Sequence, residues 1–342
     1  MARRSSRITM ADVAHAAGVS VASVSNYLNN RPYMTDDMRE RIASAIERLG
    51  YQVNSSARNL RSGRTHLIKL SIPDLKQVYF SELAEDVLAE ARLRGYGVIV
   101  ESTTNNRERE LDSVNSMGSH TTDGLILSPL MMRQADVHLL DNDIPLVVLG
   151  ERLFDVSAPH VVIANARGAA MMTQHLLDAG CRRIAVVGGV RGTRSEQSSG
   201  VIRTQGYRDA LAQAGVAYDP QLIVETDGWG SRDGADAVRR MLADQLEFDA
   251  VFALNDCLAW GVLRQLRACG VDVPAKVRVV GFDNVEESEF MIPSLTTVDP
   301  SKREIARLAV ESVIQQIESG TRAGASMIEA PIELVYRESS PC

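Results

Sequence analysis

From Leu67 to Asp283, nine short apolar runs alternate with stretches of helical spacing: LIKLSIPD, GVIVEST, GLILSP, LVVLGE, VVIAN, RIAVVGG, LIVETD, AVFALN and VRVVGFD. Such alternation predicts strand-helix units and parallel sheet. The runs are almost continuously apolar, as in strands covered on both faces. Nine or more strands form two doubly wound subdomains more naturally than one. A crevice between such sheets lies beyond the C-terminal strand ends, where small ligands bind. The chain has 342 residues, about twice the roughly 150 expected for one domain. The expected fold class is α/β for this body, preceded by a small all-α head.

The formal charge of −7 is unevenly distributed: residues 1–64 carry ten Arg against five Asp or Glu, net +5, leaving −12 for residues 65–342. A basic segment joined to an acidic body suggests a polyanion-binding head, the alternative being a solvated arginine-rich surface. Thr9 and Asp12 have capping-box spacing, and Gly18 supplies a helix stop. Ser20 starts a second helix, VASVSNYL, after so short a connection that the two helices must cross as in a helix-turn-helix. Thr35 caps a third, in which Met38, Ile42, Ile46 and Leu49 recur at helical spacing up to Gly50. Val13, Ala17, Val19, Val24 and Leu28 are the candidate core.

The second helix leaves Val21, Ala22, Ser23, Ser25 and Asn26 off that core, where a recognition helix presents side chains to the major groove. Asn26 is a candidate for an adenine edge, and Val21 and Ala22 for thymine methyls. Thr9, Ser20, Ser23, Ser25 and Asn29 are candidate phosphate contacts. A generic helical hairpin with a polar outer face is the plainer alternative. Beyond it, Asn54 can cap a helix over Ser55–Arg61. About seven residues cannot hold a helix alone in water, so this segment is expected to order only on a partner. A plain linker bearing one leucine, Leu60, is the other reading.

In the body, Asp74, Glu151, Asn255 and Asp283 follow apolar runs, Arg152 adjoins Glu151, and Arg203 begins a helix after a Gly/Ser-rich loop. Tyr79, Phe80 and Trp229 add flat apolar surface. Carboxylates, an amide and arginines around aromatic faces suit a polyhydroxylated ligand.

Other classes find little support. No apolar run approaches the roughly 20 residues of a membrane span, and Arg3, Arg4 and Arg7 are not followed by a signal-peptide core. Cys181, Cys257, Cys269 and Cys342 lack metal or redox spacing. These features point to the cytoplasm. Gly188–Gly192 follows a strand like a phosphate-binding turn but lacks GxGxxG. There is no GxxxxGK[ST], GxSxG or HExxH, so no enzyme, metal or cofactor is expected.

The run DVAHAAGVSVASVSNYLNN within Thr9–Asn30, with a likeness that continues to the C-terminus, resembles the lac-repressor-like (LacI/GalR) family of bacterial transcription regulators. That resemblance places Val21, Ala22 and Asn26 on the family's base-reading positions, with Asn26 where several relatives have Arg or His. It implies a hinge, Asn54, Ala57, Arg58 and Leu60 included, that becomes helical on operator DNA and wedges Leu60 into the minor groove. Val53 replaces a frequent family proline. The body resembles a periplasmic-binding-protein-like core whose chain crosses between lobes near Ile163–Asn165, Met291–Ser294 and Ser319–Ile328. Phe80, Arg203, Trp229, Asn255 and Asp283 match effector-contact positions in VYF, RTQGY, DGW, LND and GFDN. Gln77-Val78 and Ala164-Asn165 depart from the family's usual Asn-Pro and Asp-Asn.

The implied organisation is a helix-turn-helix domain over 1–53, a hinge over 54–65 and an effector-binding and dimerisation core over 66–342. The expected function is a sequence-specific regulator, and by family likeness a repressor. It would bind near-palindromic double-stranded operator DNA as a homodimer under control of a small molecule, expected to be a sugar. The chain stops just past its last strand without an apolar heptad tail, which favours a dimer over a tetramer. A sugar-binding module or enzyme with an accessory head is the rival.

Overall fold

Local capping chemistry sets the first three helices. The computed structural model describes residues 8–28, 31, 34–51, 64–119, 121–192 and 198–342, and the chain divides into two units, Met1–Thr65 and His66–Cys342. In the first, α1 (Met10–Ala17) opens on a capping box: the Thr9 hydroxyl accepts from the Asp12 amide, and the Asp12 carboxylate accepts from the Thr9 amide at 2.8 Å. Gly18 closes it at φ 64°, a left-handed conformation that glycine adopts without steric cost. The Ser20 hydroxyl accepts from the Ser23 amide at 3.0 Å and starts α2 (Val21–Leu28). Thr35 caps α3 (Asp36–Leu49), which ends at Gly50. Val13, Ala14, Ala17, Val24, Ile42, Ala45 and Tyr51 form the buried centre. Val19, Leu28, Met38, Ile46 and Leu49 pack around it. Asn29 and the hinge candidates Asn54, Ala57, Arg58 and Leu60 lie outside the described residues.

The second unit is α/β with two parallel sheets. The first holds β1 (Leu67–Ile72), β2 (Gly97–Ser102), β3 (Gly124–Leu127), β4 (Leu146–Leu149), β5 (Pro159–Ile163) and β11 (Ser326–Ala330), in spatial order β11-β5-β4-β3-β1-β2. Helices α4 (Val78–Leu93) and α10 (Lys302–Ser319) cover one face, burying Leu83, Val87, Ile305, Ala309 and Val313 against Ile68, Leu70 and Ile126. Helix α5 (Arg107–Asn115) contributes Val114 to the core of the other face.

The second sheet holds β6 (Ile184–Val187), β7 (Ile223–Val224), β8 (Ala250–Ala253) and β9 (Arg278–Val280), in order β7-β6-β8-β9. Helices α6 (Asn165–Asp178) and α7 (Ser199–Gln213) bury Met172, Leu176, Tyr207 and Leu211 on one face, with Phe252 and Val280. Helices α8 (Ser231–Ala243) and α9 (Asp256–Ala268) bury Val238, Met241, Leu258 and Val262 on the other. Gly206 lets α7 lie directly on α6, because a Cβ there would collide with the Ala166 carbonyl.

All nine apolar runs form strands, and three strands join them. β10 (Thr297–Asp299) pairs antiparallel with β12 (Glu333–Val335), and β11 extends the first sheet beside β5. The chain leaves the first lobe at Ala164, returns to it between Asp299 and Lys302, and leaves again between Ala330 and Glu333. The expected crossings at Met291–Ser294 and Ser319–Ile328 are thereby corrected. Met291, Leu295 and Val298 still pack in the second lobe, and Ser326–Ala330 remains in the first. Among the described residues no helix is long and apolar enough to cross a membrane.

Candidate functional site

Two places gather the residues singled out above. On α2, Val24 faces inward with no exposure, while Val21, Ala22 and Asn26 are exposed together, Val21 at 46%. The 3.6-residue period explains this: positions 22 and 26 lie one turn apart, and 24 points away from them. The Thr9 and Ser20 hydroxyls stand at the N-termini of α1 and α2, where backbone N–H groups and the helix dipole favour phosphate. Both hydroxyls cap those helices, and the Ser20 and Ser23 oxygens are 3.0 Å apart. Ser23 and Ser25 are half-buried.

The second place is a cavity of about 480 Å³ between the two lobes, at the C-terminal ends of the strands. Tyr79, Phe80, Glu151 and Arg152 from the first lobe and Arg203, Trp229, Asn255 and Asp283 from the second all line it. Asp74 does not: its carboxylate accepts from the Lys76 amide at 3.0 Å and shapes a turn.

Arg203 is only 3% exposed. Its Nε donates to Asn165 Oδ1 at 2.6 Å, one terminal nitrogen donates to the Leu254 carbonyl, and the other lies 3.5 Å from Asp283 Oδ1. The guanidinium stacks 3.5 Å from the Phe282 ring centre. The Asp283 carboxyl is pushed up to about 6 by burial, against the opposing pull of Arg203 and Lys302. Asn255 spends its side chain within the protein, accepting from Leu258 N at 2.8 Å to cap α9 and donating to the Trp229 carbonyl at 3.1 Å. It therefore positions Trp229, whose ring crosses the start of α7 where Gly200 offers no Cβ.

Glu151 Oε1 accepts from the Ile163 amide at 2.9 Å, and Oε2 lies 3.4 Å from the Ser199 hydroxyl of the opposite lobe. Burial raises its pKa. Arg152 Nε donates to the Met132 carbonyl at 2.7 Å. Tyr79 meets Phe80 edge-on with ring centres 5.2 Å apart. Burial, and then the charges of Asp283 and Glu151, hold its phenol in the neutral form.

Gln77, Asn105, Ser128, Ser199 and Thr226 also line the cavity and escape a reading of strand ends by charge alone, whereas Glu225 and Asp227, which end LIVETD, line it as well and fit that reading. Ser128 and Thr226 do end the runs GLILS and LIVET, so the strand-end rule, applied to hydroxyls as well, finds them. Asn165, buried behind Arg203, also ends an apolar run, VVIAN, and its Nδ2 has no partner among the described residues. Among those residues no cluster of three or more His, Cys, Asp or Glu could hold a metal.

Residues 9–54 match the family described as bacterial regulatory proteins, lacI family, and residues 173–340 match the periplasmic binding protein-like domain. The ribose operon repressor of Halalkalibacterium halodurans is 31% identical over 332 residues, 97% of each chain. The chain belongs to the lacI family. A LacI-family transcriptional regulator from Sanguibacter keddieii superimposes with a TM-score of 0.74 at 41% identity, over 81% of this chain and 99% of that one. The transcriptional regulator CelR–cellobiose complex does so with a TM-score of 0.71 at 29% identity, over 97% and 100%. As a lacI-family member this protein is a DNA-binding transcriptional regulator: the α2 face lies in its DNA-binding unit and the cleft in its periplasmic-binding-protein-like unit.

Proposed function

We propose that this lacI-family chain is a cytoplasmic repressor that binds a near-palindromic operator as a homodimer, with operator affinity set by a sugar held between the lobes. The observation carrying this reading is that eight separately chosen side chains, four from each lobe, line one cavity. In this reading Val21, Ala22 and Asn26 read bases, and Thr9, Ser20, Ser23, Ser25 and Asn29 contact phosphates. The hinge over 54–65, with Asn54, Ala57 and Arg58, folds on DNA as Leu60 enters the minor groove. A two-fold dimer reads two half-sites, hence the palindrome. A sugar in the cleft donates hydroxyls to Glu151 and Asp283 and lays C–H faces on Phe80 and Trp229. By linkage, sugar and operator then change each other's affinity by one common factor. No catalytic step is assigned to any residue.

Selection of genomic DNA fragments by the full-length protein tests this, with Leu60→Ala as control. Enrichment of a palindrome by the wild type, bound more weakly and bent less by the variant, is the expected result. DNA binding without sequence preference, driven by salt alone, would return the head to an accessory role.

A further inference from the structure

Helix α4 faces the cleft with its first residues and the second lobe with the next turn. Tyr79 and Phe80 line the cavity, and Glu82 does not. The Glu82 carboxylate reaches across the lobe boundary instead: Oε1 accepts from the Glu286 amide at 2.8 Å, and Oε2 lies 3.2 Å from the Lys302 ammonium. At the start of α4, where Gln77 gives no side-chain cap, the Cys257 thiol of α9 meets the Val78 backbone. Both contacts tie this first-lobe helix to second-lobe segments.

Lys302 completes the seam. Its Nζ also donates to the Asp283 carbonyl and, at 2.9 Å, to the Asn284 carbonyl, so that three acceptors face three ammonium protons. The side chain is only 10% exposed and belongs to the first residue of α10, where the positive end of the helix dipole disfavours a cation. A charge is held against burial and that dipole when its protons are all accepted. Its neighbour Arg303 makes the contrast, 94% exposed and 3.8 Å from Asp86. The turn that Lys302 holds is strained: Asp283 and Asn284 have φ of 116° and 47°, conformations that residues with a Cβ rarely adopt. Asp283 itself lines the cleft.

We propose that Lys302 and Glu82 are a positioning pair that couples the two lobes. A ligand that shifts the Asp283–Asn284 turn shifts the Lys302 ammonium, then Glu82, and so α4 of the first lobe. Neither side chain lines the cavity. That coupling rests on the cleft reading above and gives it a route into the lobe whose first strand, β1, follows residues 54–65 in the chain.

Hydrogen exchange on the full-length, ligand-free protein reads the coupling directly, with Lys302→Met, Glu82→Gln and the double variant beside the wild type. Lys302→Met keeps the aliphatic stem, and Glu82→Gln keeps an oxygen for the Glu286 amide. The expected result for Lys302→Met is exchange at least about tenfold faster over residues 283–287 and also over residues 78–86 of α4. Glu82→Gln should act in the same direction, and the double variant should exchange no faster than Lys302→Met alone. A merely local role speeds exchange at 283–287 and leaves α4 unchanged, and effects that add in the double variant make the two residues independent. Either result overturns the coupling. The second measurement uses the operator selected above and a sugar chosen by a thermal-shift screen of common sugars. Allosteric factors run from about fivefold to about 150-fold. In each variant the factor by which the sugar changes operator affinity should fall to about twofold or less, and an undiminished factor overturns the coupling. A screen in which no sugar binds overturns the sugar reading instead, and the exchange result then decides the coupling alone.

Discussion

Asp256 shows how a single buried carboxyl shapes the fold around the cleft. It is fully buried, accepts from Thr297 Oγ1 at 2.5 Å, Ser288 Oγ at 2.8 Å and Val285 N at 3.0 Å, and so ties the start of α9 to the segment after β9. Burial, and then the nearby charge of Asp283, pushes its pKa up to about 7. Because that value lies above the roughly 3.9 of an unfolded Asp, the folded state holds the proton more tightly. The contribution of Asp256 to stability is therefore full at low pH and is lost as pH rises through about 7. Thermal melts should show Tm declining from pH 5 to pH 8, and Asp256→Asn should flatten that slope. An unchanged slope in the variant would remove Asp256 as its source.

Arg203 carries a second prediction at this scale. Its removal in Arg203→Leu leaves Asp283 buried without its partner, at a cost of roughly 3–5 kcal/mol in denaturant unfolding. Asp283 is legible in the sequence because it ends the apolar run VRVVGFD, and Arg203 because it stands at the start of a helix after a Gly/Ser-rich loop. Their partner Asn165 also ends an apolar run, but its role behind Arg203 is not legible, because it depends on α6 packing against α7.

Helices are legible where side chains close their own ends. Thr9, Asp12 and Gly18 mark α1, and Thr35 and Gly50 mark α3, because capping is local chemistry within four residues. Thr9→Ala should lower the melting stability of the head by about 1 kcal/mol while leaving ligand binding by the body unchanged. A larger loss spread over both units would contradict so local a role. β11 is hidden from a reading of pattern because it is an edge strand. Met327 is 77% exposed there, and SMIEA lacks both a continuous apolar run and a clean alternation. β10 and β12 are three residues each and acquire strand geometry only by pairing with one another. The two later lobe crossings consequently fall further along the chain than apolar runs alone suggest.

For the whole molecule, the division into a basic head and an acidic, two-lobed body is written in charge and periodicity, and both units are present. The convergence of eight cleft residues is legible because parallel sheets expose their C-terminal ends to a common crevice. The internal engagement of Asn255 and Arg203 is not, since it depends on distances that no spacing encodes. Regulation requires the two units to share one free-energy cycle. The direct measurement is a calorimetric titration of an effector sugar, chosen by a thermal-shift screen of common sugars, into the free protein and into the protein saturated with its selected operator. The account predicts sugar affinities that differ between the two, by the same factor by which the sugar changes operator affinity. Identical sugar affinity in both, with operator affinity unmoved by sugar, would contradict it.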